Sequence, residues 1–271
     1  MGEASISSTG AGTKTTRTLE KGLMILNLFD SEHSCWTLKG ITEATGISMP
    51  TALRLTRTLE KAHYLRHDGR TRGYELGPAI YRAASAPRSH TELIRVAHPH
   101  LQSLTWLTTE TTALGIWEHG WAHIIDLVLT PRPFKPVIHV GTAIPGLATL
   151  HAQIAVAFGP DNVLEAALAL DHPHYTDYTL TDPAQLREQI EYIRREYMAF
   201  ALETMTLGVC SVAAPVFGPH GEVVASVALL APVERFGPIE MRNHGAAVLR
   251  EANLVSQELG WTEGLDRRTT K

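Results

Sequence analysis

Cysteine is scarce in this chain: two in 271 residues, Cys35 and Cys210. Two thiols so far apart build no disulfide framework, and neither sits in a Cys-x-x-Cys pair. A cytosolic protein keeps such cysteines reduced. Long apolar runs are also missing. The longest, Val209 to Phe217 and Val223 to Val233, are too short to cross a bilayer, and their Val and Ala content reads as buried strand. Met1 to Lys14 is small, polar and rich in Gly, Ser and Thr; without the apolar core of a signal peptide it reads as a disordered tail. The expected location is the cytoplasm.

A strong net charge is absent too. The formal value of −4 argues against a surface coated for nucleic acid. The average conceals a split: residues 1–90 carry 12 Lys and Arg against 8 Asp and Glu, and the remainder 12 against 20. A mildly basic front module on an acidic body suits a DNA-binding domain joined to a regulatory domain, and the length accommodates both.

What is present begins with a helix over 17–29, with Leu19, Leu23, Ile25, Leu26 and Phe29 at the spacing of one buried face. Thr37 is an N-cap for a short second helix that stops at Gly46, a residue able to take the left-handed turn. Ser48 caps a third helix through Glu60, with Pro50 in its first turn. Tyr64 to His67 and Arg72 to Leu76 then flank Asp68-Gly69-Arg70-Thr71, the signal of a β-hairpin. Three helices and a hairpin with a basic tip make a winged helix-turn-helix.

The second helix of such a motif places its N-terminal residues against base edges. Here it offers Ser48, Met49, Thr51, Arg54 and Arg57, the hydroxyls and guanidinium groups for phosphate or base and Met49 for apolar contact. Arg66, Arg70 and Arg72 on the wing suit backbone or minor-groove contact, and Arg17 adds a phosphate contact. The competing reading is a helical hairpin whose arginines are merely solvated.

Residues 78–84 read as a short connecting helix, Ser85 to Arg88 as a breaker-rich linker, and Ser89-x-x-Glu92 as a capping box opening a helix through about Leu107. Strands over 112–117, 122–129, 208–217 and 222–231 alternate with helices over 148–157, 161–170, 183–197 and 236–259. The class is α+β, with a largely antiparallel sheet flanked by helices. The expected divisions are a tail at 1–15, the winged helix-turn-helix at 16–77, a linker at 78–89 and an effector-binding, oligomerising domain at 90–260.

Neither a metal nor a cofactor is expected. His98 and His100 lie two apart on a helix and so on different faces. His172 and His174 lack the further ligands of a tetrahedral set, and surface positions are expected for these histidines. Cys210 lies in an apolar strand, where packing or ligand contact suits it better than nucleophilic chemistry. Trp106, Trp117 and Trp121 either stack on an aromatic ligand or fill a core or interface.

Six segments in order resemble the IclR family of bacterial regulators over about residues 16–260: Ile41 to Ile47 with Thr51, Arg54-Leu55 and Leu59-Glu60; Tyr74 to Gly77; Arg95 to Pro99; Val140-Gly141 with Pro145; Tyr178 to Pro183; and Arg194, Glu203, Gly208 to Cys210, Ala213 to Val216 and Gly221. The resemblance implies a GAF-like effector domain, binding to a double-stranded DNA operator as a homodimer or dimer of dimers, and control of a catabolic operon, by repression, through a small-molecule effector. It carries the effector site onto Leu147, His151, Phe200, Glu203, Cys210, Ala228 and Leu230. The chain departs from the family where Leu150-His151-Ala152-Gln153 replaces an Ala-x-Gly-Lys segment. It departs again where Phe200, Ala228 and Leu230 stand in place of an Asp and two Ser of oxo-acid-binding members. Ser226 enters that site only if its strand changes facing. With those groups lost, His151, Glu203 and Cys210 remain as polar candidates, and the expected effector is aromatic or otherwise apolar. The alternatives are a GAF-like enzyme and a protein-interaction module built on the winged helix.

Overall fold

The computed structural model describes residues 16–30, 33–69, 72–84 and 89–262. The chain divides into two compact units, Met1–Pro87 and Arg88–Lys271.

In the first unit α1 (Arg17–Leu26) is followed by β1 (Cys35–Thr37), α2 (Leu38–Thr45) and α3 (Met49–Lys61), then β2 (Leu65–Asp68), β3 (Gly73–Leu76) and α4 (Pro78–Ala84). The Thr37 side chain accepts from the Gly40 amide and caps α2, and Gly46 ends that helix at φ 68°. Ser48 occupies the N-cap of α3 but makes no capping bond; its hydroxyl instead donates to Thr51 Oγ1 at 3.0 Å. The hairpin strands pair from Leu65↔Leu76 to Asp68↔Gly73, and β1 adds to the other edge of β3. That third strand, three residues long, carries no periodic signal of its own.

The core of this unit is Ile25, Ile41, Ile47, Ala52, Leu55, Leu65 and Tyr74. It is small, and α1 meets it only near its C-terminal end. Leu19 and Leu23, expected inside, are 63% and 49% exposed. The helix also stops at Leu26 rather than 29; Leu28 leaves it to accept a hydrogen bond from the Trp36 indole at 2.8 Å.

The second unit opens with α5 (Ser89–Thr108), then β4 (Thr111–Glu118), β5 (Trp121–Val128), β6 (Ala143–Pro145), α6 (Leu150–Phe158), α7 (Asp161–Leu168), α8 (Pro183–Glu196), β7 (Ala199–Leu202), β8 (Val209–Phe217), β9 (Val223–Pro232) and α9 (Pro238–Glu258). The six strands form one antiparallel sheet in the order β6-β5-β4-β9-β8-β7. Asp182 caps α8 through the amides of Ala184 and Gln185, with Pro183 in the first turn.

Helices cover both faces of this sheet. On one face Leu114, Val212, Val216, Val227 and Leu229 pack with apolar residues of α5 and α9. On the other, Ala201, Ala213 and Ala228 pack with α6, α7 and α8. His98 and His100 do point to different sides of α5, but neither is idle. His98 pairs with Asp126 at 2.7 Å, and His100 bridges Glu251 and Glu258 at 2.9 and 3.1 Å, tying α5 to β5 and to α9.

Candidate functional site

The exposed side of α3 is a stripe at helical spacing: Pro50, Leu53, Arg54, Arg57, Thr58 and Lys61. Ala52, Leu55 and Thr56 on the opposite side are buried and fix which side faces out. Met49 stands 45% exposed in the first turn. Among the described residues, Arg17, Arg54, Arg57 and Arg72 have no acidic partner, so their charge is free for an external anion. Arg66 differs, because Glu75 on the neighbouring strand pairs with it and raises its pKa. Arg72 sits at φ 54°, in the left-handed region, beside the hairpin turn. Arg70 lies outside the described residues. Sequence reading passed over Thr58 and Lys61, although their spacing of four and seven from Arg54 was a signal for the same face.

In the second unit a cavity of about 600 Å³ opens on the sheet face that carries α6. Its walls are strand residues such as Ile124, Ala201, Ser211, Ala228 and Leu230, the segment 134–139, and the loop 204–208. Of the residues onto which the resemblance carries the effector site, His151, Ala228 and Leu230 line it. Leu147, Phe200, Glu203 and Cys210 do not, for separate reasons.

Phe200 and Cys210 point through the sheet. Side chains alternate along a strand, and Ala201 and Ser211 are the members that face the cavity. Phe200 and Cys210 therefore join the core under α5 and α9. Burial there pushes the Cys210 thiol upward, the opposite of what a nucleophile needs. Glu203 has φ 56°, and its carboxylate accepts from the Gly208 amide at 2.6 Å, closing the loop that forms one wall. It shapes the cavity from outside. Leu147 is fully buried beneath α6, its carbonyl accepting from Gln153 Nε2 at 2.9 Å.

Ser226, Ala228 and Leu230 are two apart on β9, so Ser226 shares the cavity face with no change of facing. Its hydroxyl lies 2.7 Å from His151 Nδ1. Other polar groups that sequence reading missed are Lys135 and His139, exposed on the rim, with Thr142, Thr204, Thr206 and Ser211. No acidic side chain is among the lining residues. None of the three tryptophans lines the cavity: Trp106 is 88% exposed, Trp121 is 42% exposed, and Trp117 packs on the core. Among the described residues no three His, Cys, Asp or Glu side chains gather as a metal set would. His172 instead accepts from the Leu147 amide at 3.4 Å.

A winged helix-turn-helix with a free cationic stripe, in one chain with an α+β unit that holds a mainly apolar cavity, has the make-up of a DNA-binding transcription regulator. Residues 18–69 match the IclR helix-turn-helix domain and residues 86–257 the C-terminal domain of the bacterial transcriptional regulator IclR. The chain belongs to the IclR family of transcriptional regulators. It is 30% identical over 226 residues to the HTH-type transcriptional regulator Rv1719 of Mycobacterium tuberculosis, covering 83% of this chain and 82% of that one. It is 25% identical over 252 residues to the DNA-binding transcriptional repressor YiaJ of Escherichia coli, covering 91% and 89%. In fold it is similar to an IclR homolog from Microbacterium hydrocarbonoxydans solved with 4-hydroxybenzoate, with a TM-score of 0.78, 20% identity, and coverage of 89% and 98%.

Proposed function

We propose that the chain grips operator DNA through the exposed side of α3, with Arg54 and Arg57 as the principal contacts, and that an aromatic or similarly apolar metabolite in the cavity sets that affinity. The carrying observation is the unpaired state of those two guanidinium groups on a side held outward by a buried opposite side. Met49 and the Ser48–Thr51 hydroxyl pair stand at the helix start, where base edges lie. Arg17, Arg70 and Arg72 supply flanking phosphate contacts, while Arg66 contributes less because Glu75 neutralises it. The protein acts in the cytoplasm as a homodimer or dimer of dimers and represses a catabolic operon. The repressor named among its relatives supports the sign of that regulation.

An enzyme built on the second unit is disfavoured by the placement of its lone thiol, Cys210, outside the cavity with a raised pKa. For the effector, the apolar lining and cationic rim favour an aromatic acid over a small oxo-acid, and the 4-hydroxybenzoate held by a protein of the same fold agrees with that preference.

Binding of the purified protein to the duplex upstream of its own gene, titrated with salt, is the test. Each phosphate contact steepens the dependence of log affinity on log salt by about one. Replacing both Arg54 and Arg57 with Ala should cut affinity at least ten-fold and flatten the slope by about two. An affinity and slope unchanged by both substitutions would assign α3 to a protein partner instead.

A further inference from the structure

Three positions remote in sequence meet at the cavity. Gly115 on β4 pairs with Ser226 on β9, and His151, from the first turn of α6, lies over that pair. A Cβ at Gly115 would fall 2.4 Å from His151 Cγ and Nδ1, so the imidazole occupies the space a side chain there would take. The residue is only 6% exposed. Burial pushes its pKa down to about 4, against an upward pull from the Ser226 backbone, so it is neutral near pH 7.

A neutral imidazole carries one proton, on one nitrogen. Among the described residues the Ser226 hydroxyl has no hydrogen-bond partner except His151 Nδ1. If the hydroxyl hydrogen goes to Nδ1, that nitrogen accepts and the ring proton resides on Nε2, an arrangement that leaves no buried hydroxyl hydrogen unused. No group among the described residues pairs with Nε2, and it is not one of the sealed, unpartnered polar atoms of the interior. In that arrangement Nε2 is an N–H donor without a protein partner, on a residue that lines the cavity. The nearby walls are apolar, including Ile124, Ile144, Ala228 and Leu230, and the only lysine of the lining, Lys135, is exposed on the rim. A carboxylate turned toward the ring would lose its hydration for one neutral hydrogen bond, whereas at the rim it keeps water and gains a cation.

We propose that the Ser226 hydroxyl donates to Nδ1 and holds the ring proton on Nε2, and that His151 is thereby the specificity-determining group of the cavity: its Nε2–H donates to an uncharged carbonyl or hydroxyl oxygen at the inner end of an aromatic ligand whose anionic end lies by Lys135. This rests on the reading of the cavity as the effector site.

The test is calorimetric titration of the full-length protein with 4-acetylbenzoate and 4-isopropenylbenzoate, which share shape and charge and differ in a carbonyl oxygen against a methylene. The wild type should bind the ketone about ten-fold more tightly, because the alkene leaves a buried donor unpaired. His151→Phe should bind both alike. His151→Gln, whose amide offers an N–H in place of Nε2–H, should restore part of the preference. Ser226→Ala, which removes only the group that fixes the ring proton, should narrow it while keeping affinity for the alkene. Equal binding of the two compounds by the wild type overturns the inference and leaves the cavity standing as a ligand site. So does a preference that survives unchanged in His151→Phe and Ser226→Ala. Binding of neither compound overturns it together with the reading of the cavity as a site for aromatic acids.

Discussion

The buried imidazole at position 151 makes folding stability depend on acidity in a defined window. Its pKa of about 4 lies below the ordinary histidine value of about 6.5, so between those two values the unfolded chain binds the extra proton. The stabilisation is whole above about pH 6.5 and drains away as pH falls toward 4, a total of about 3 kcal/mol. Urea unfolding at pH 7.5 and pH 4.5 should show the wild type losing about 2 kcal/mol more than His151→Phe over that interval. Identical losses would mean that the ring is solvated in the folded state. At this scale the sequence was informative about identity and silent about direction. His151 was legible as a polar group on a helix at the position the family resemblance gave to the effector site. Its partner Ser226 and its seat at Gly115 were not, because both lie on strands more than thirty residues away from it and from each other.

Single elements show why. The β8 and β9 runs were legible as buried strands, and their bounds shifted by a residue at most. A strand buried on both faces carries no polar alternation, so its pattern does not say which residues face which layer. The family resemblance set Cys210 and Phe200 in the effector site, and the strand pattern offered nothing to show that Ser211 and Ala201 are the residues facing the cavity. The short strands β6 and β7, three and four residues long, were invisible for want of length. The helices of the winged motif were clearer, since Thr37 and Gly46 mark their own ends. Another element gains its position from charge. Arg235 grips Glu110, 2% exposed, through two bonds of 2.6 and 2.8 Å, and reaches the Phe134 carbonyl on the cavity rim at 3.3 Å. Arg235→Met should cost about 3 kcal/mol, because a buried carboxylate loses its partner, with Arg132 at 4.0 Å supplying partial relief. Adding Glu110→Leu should recover most of that loss in urea unfolding, yet still weaken ligand binding through the freed rim.

For the whole molecule, the two units divide at Pro87 and Arg88, and the expected linker, Ser85 to Arg88, lies outside the described residues. An effector acts on DNA binding only by preferring one arrangement of the units over another. Inserting four residues after Ala86 should therefore leave the affinity for ligand within two-fold of wild type while removing most of the ligand's effect on DNA affinity. Calorimetry and a DNA titration on the same preparation check both halves. A ligand effect of full size in the insertion variant would take the linker out of the mechanism.

The absent side chain at Gly115 also limits how this protein can change its taste in ligands. A larger residue at 115 is incompatible with the imidazole at 151, since its first carbon would meet the ring at 2.4 Å. Replacing the imidazole with something small would leave a void over Gly115 and strand the hydroxyl of Ser226. Growth at 115 is blocked while the imidazole stands, whereas a change at 151 alone costs only packing and a hydrogen bond, so a lineage leaving this chemistry must pass through position 151 before 115 can grow. Among descendants, the three positions should be inherited as a set, and libraries built to retarget the sensor should randomise them together.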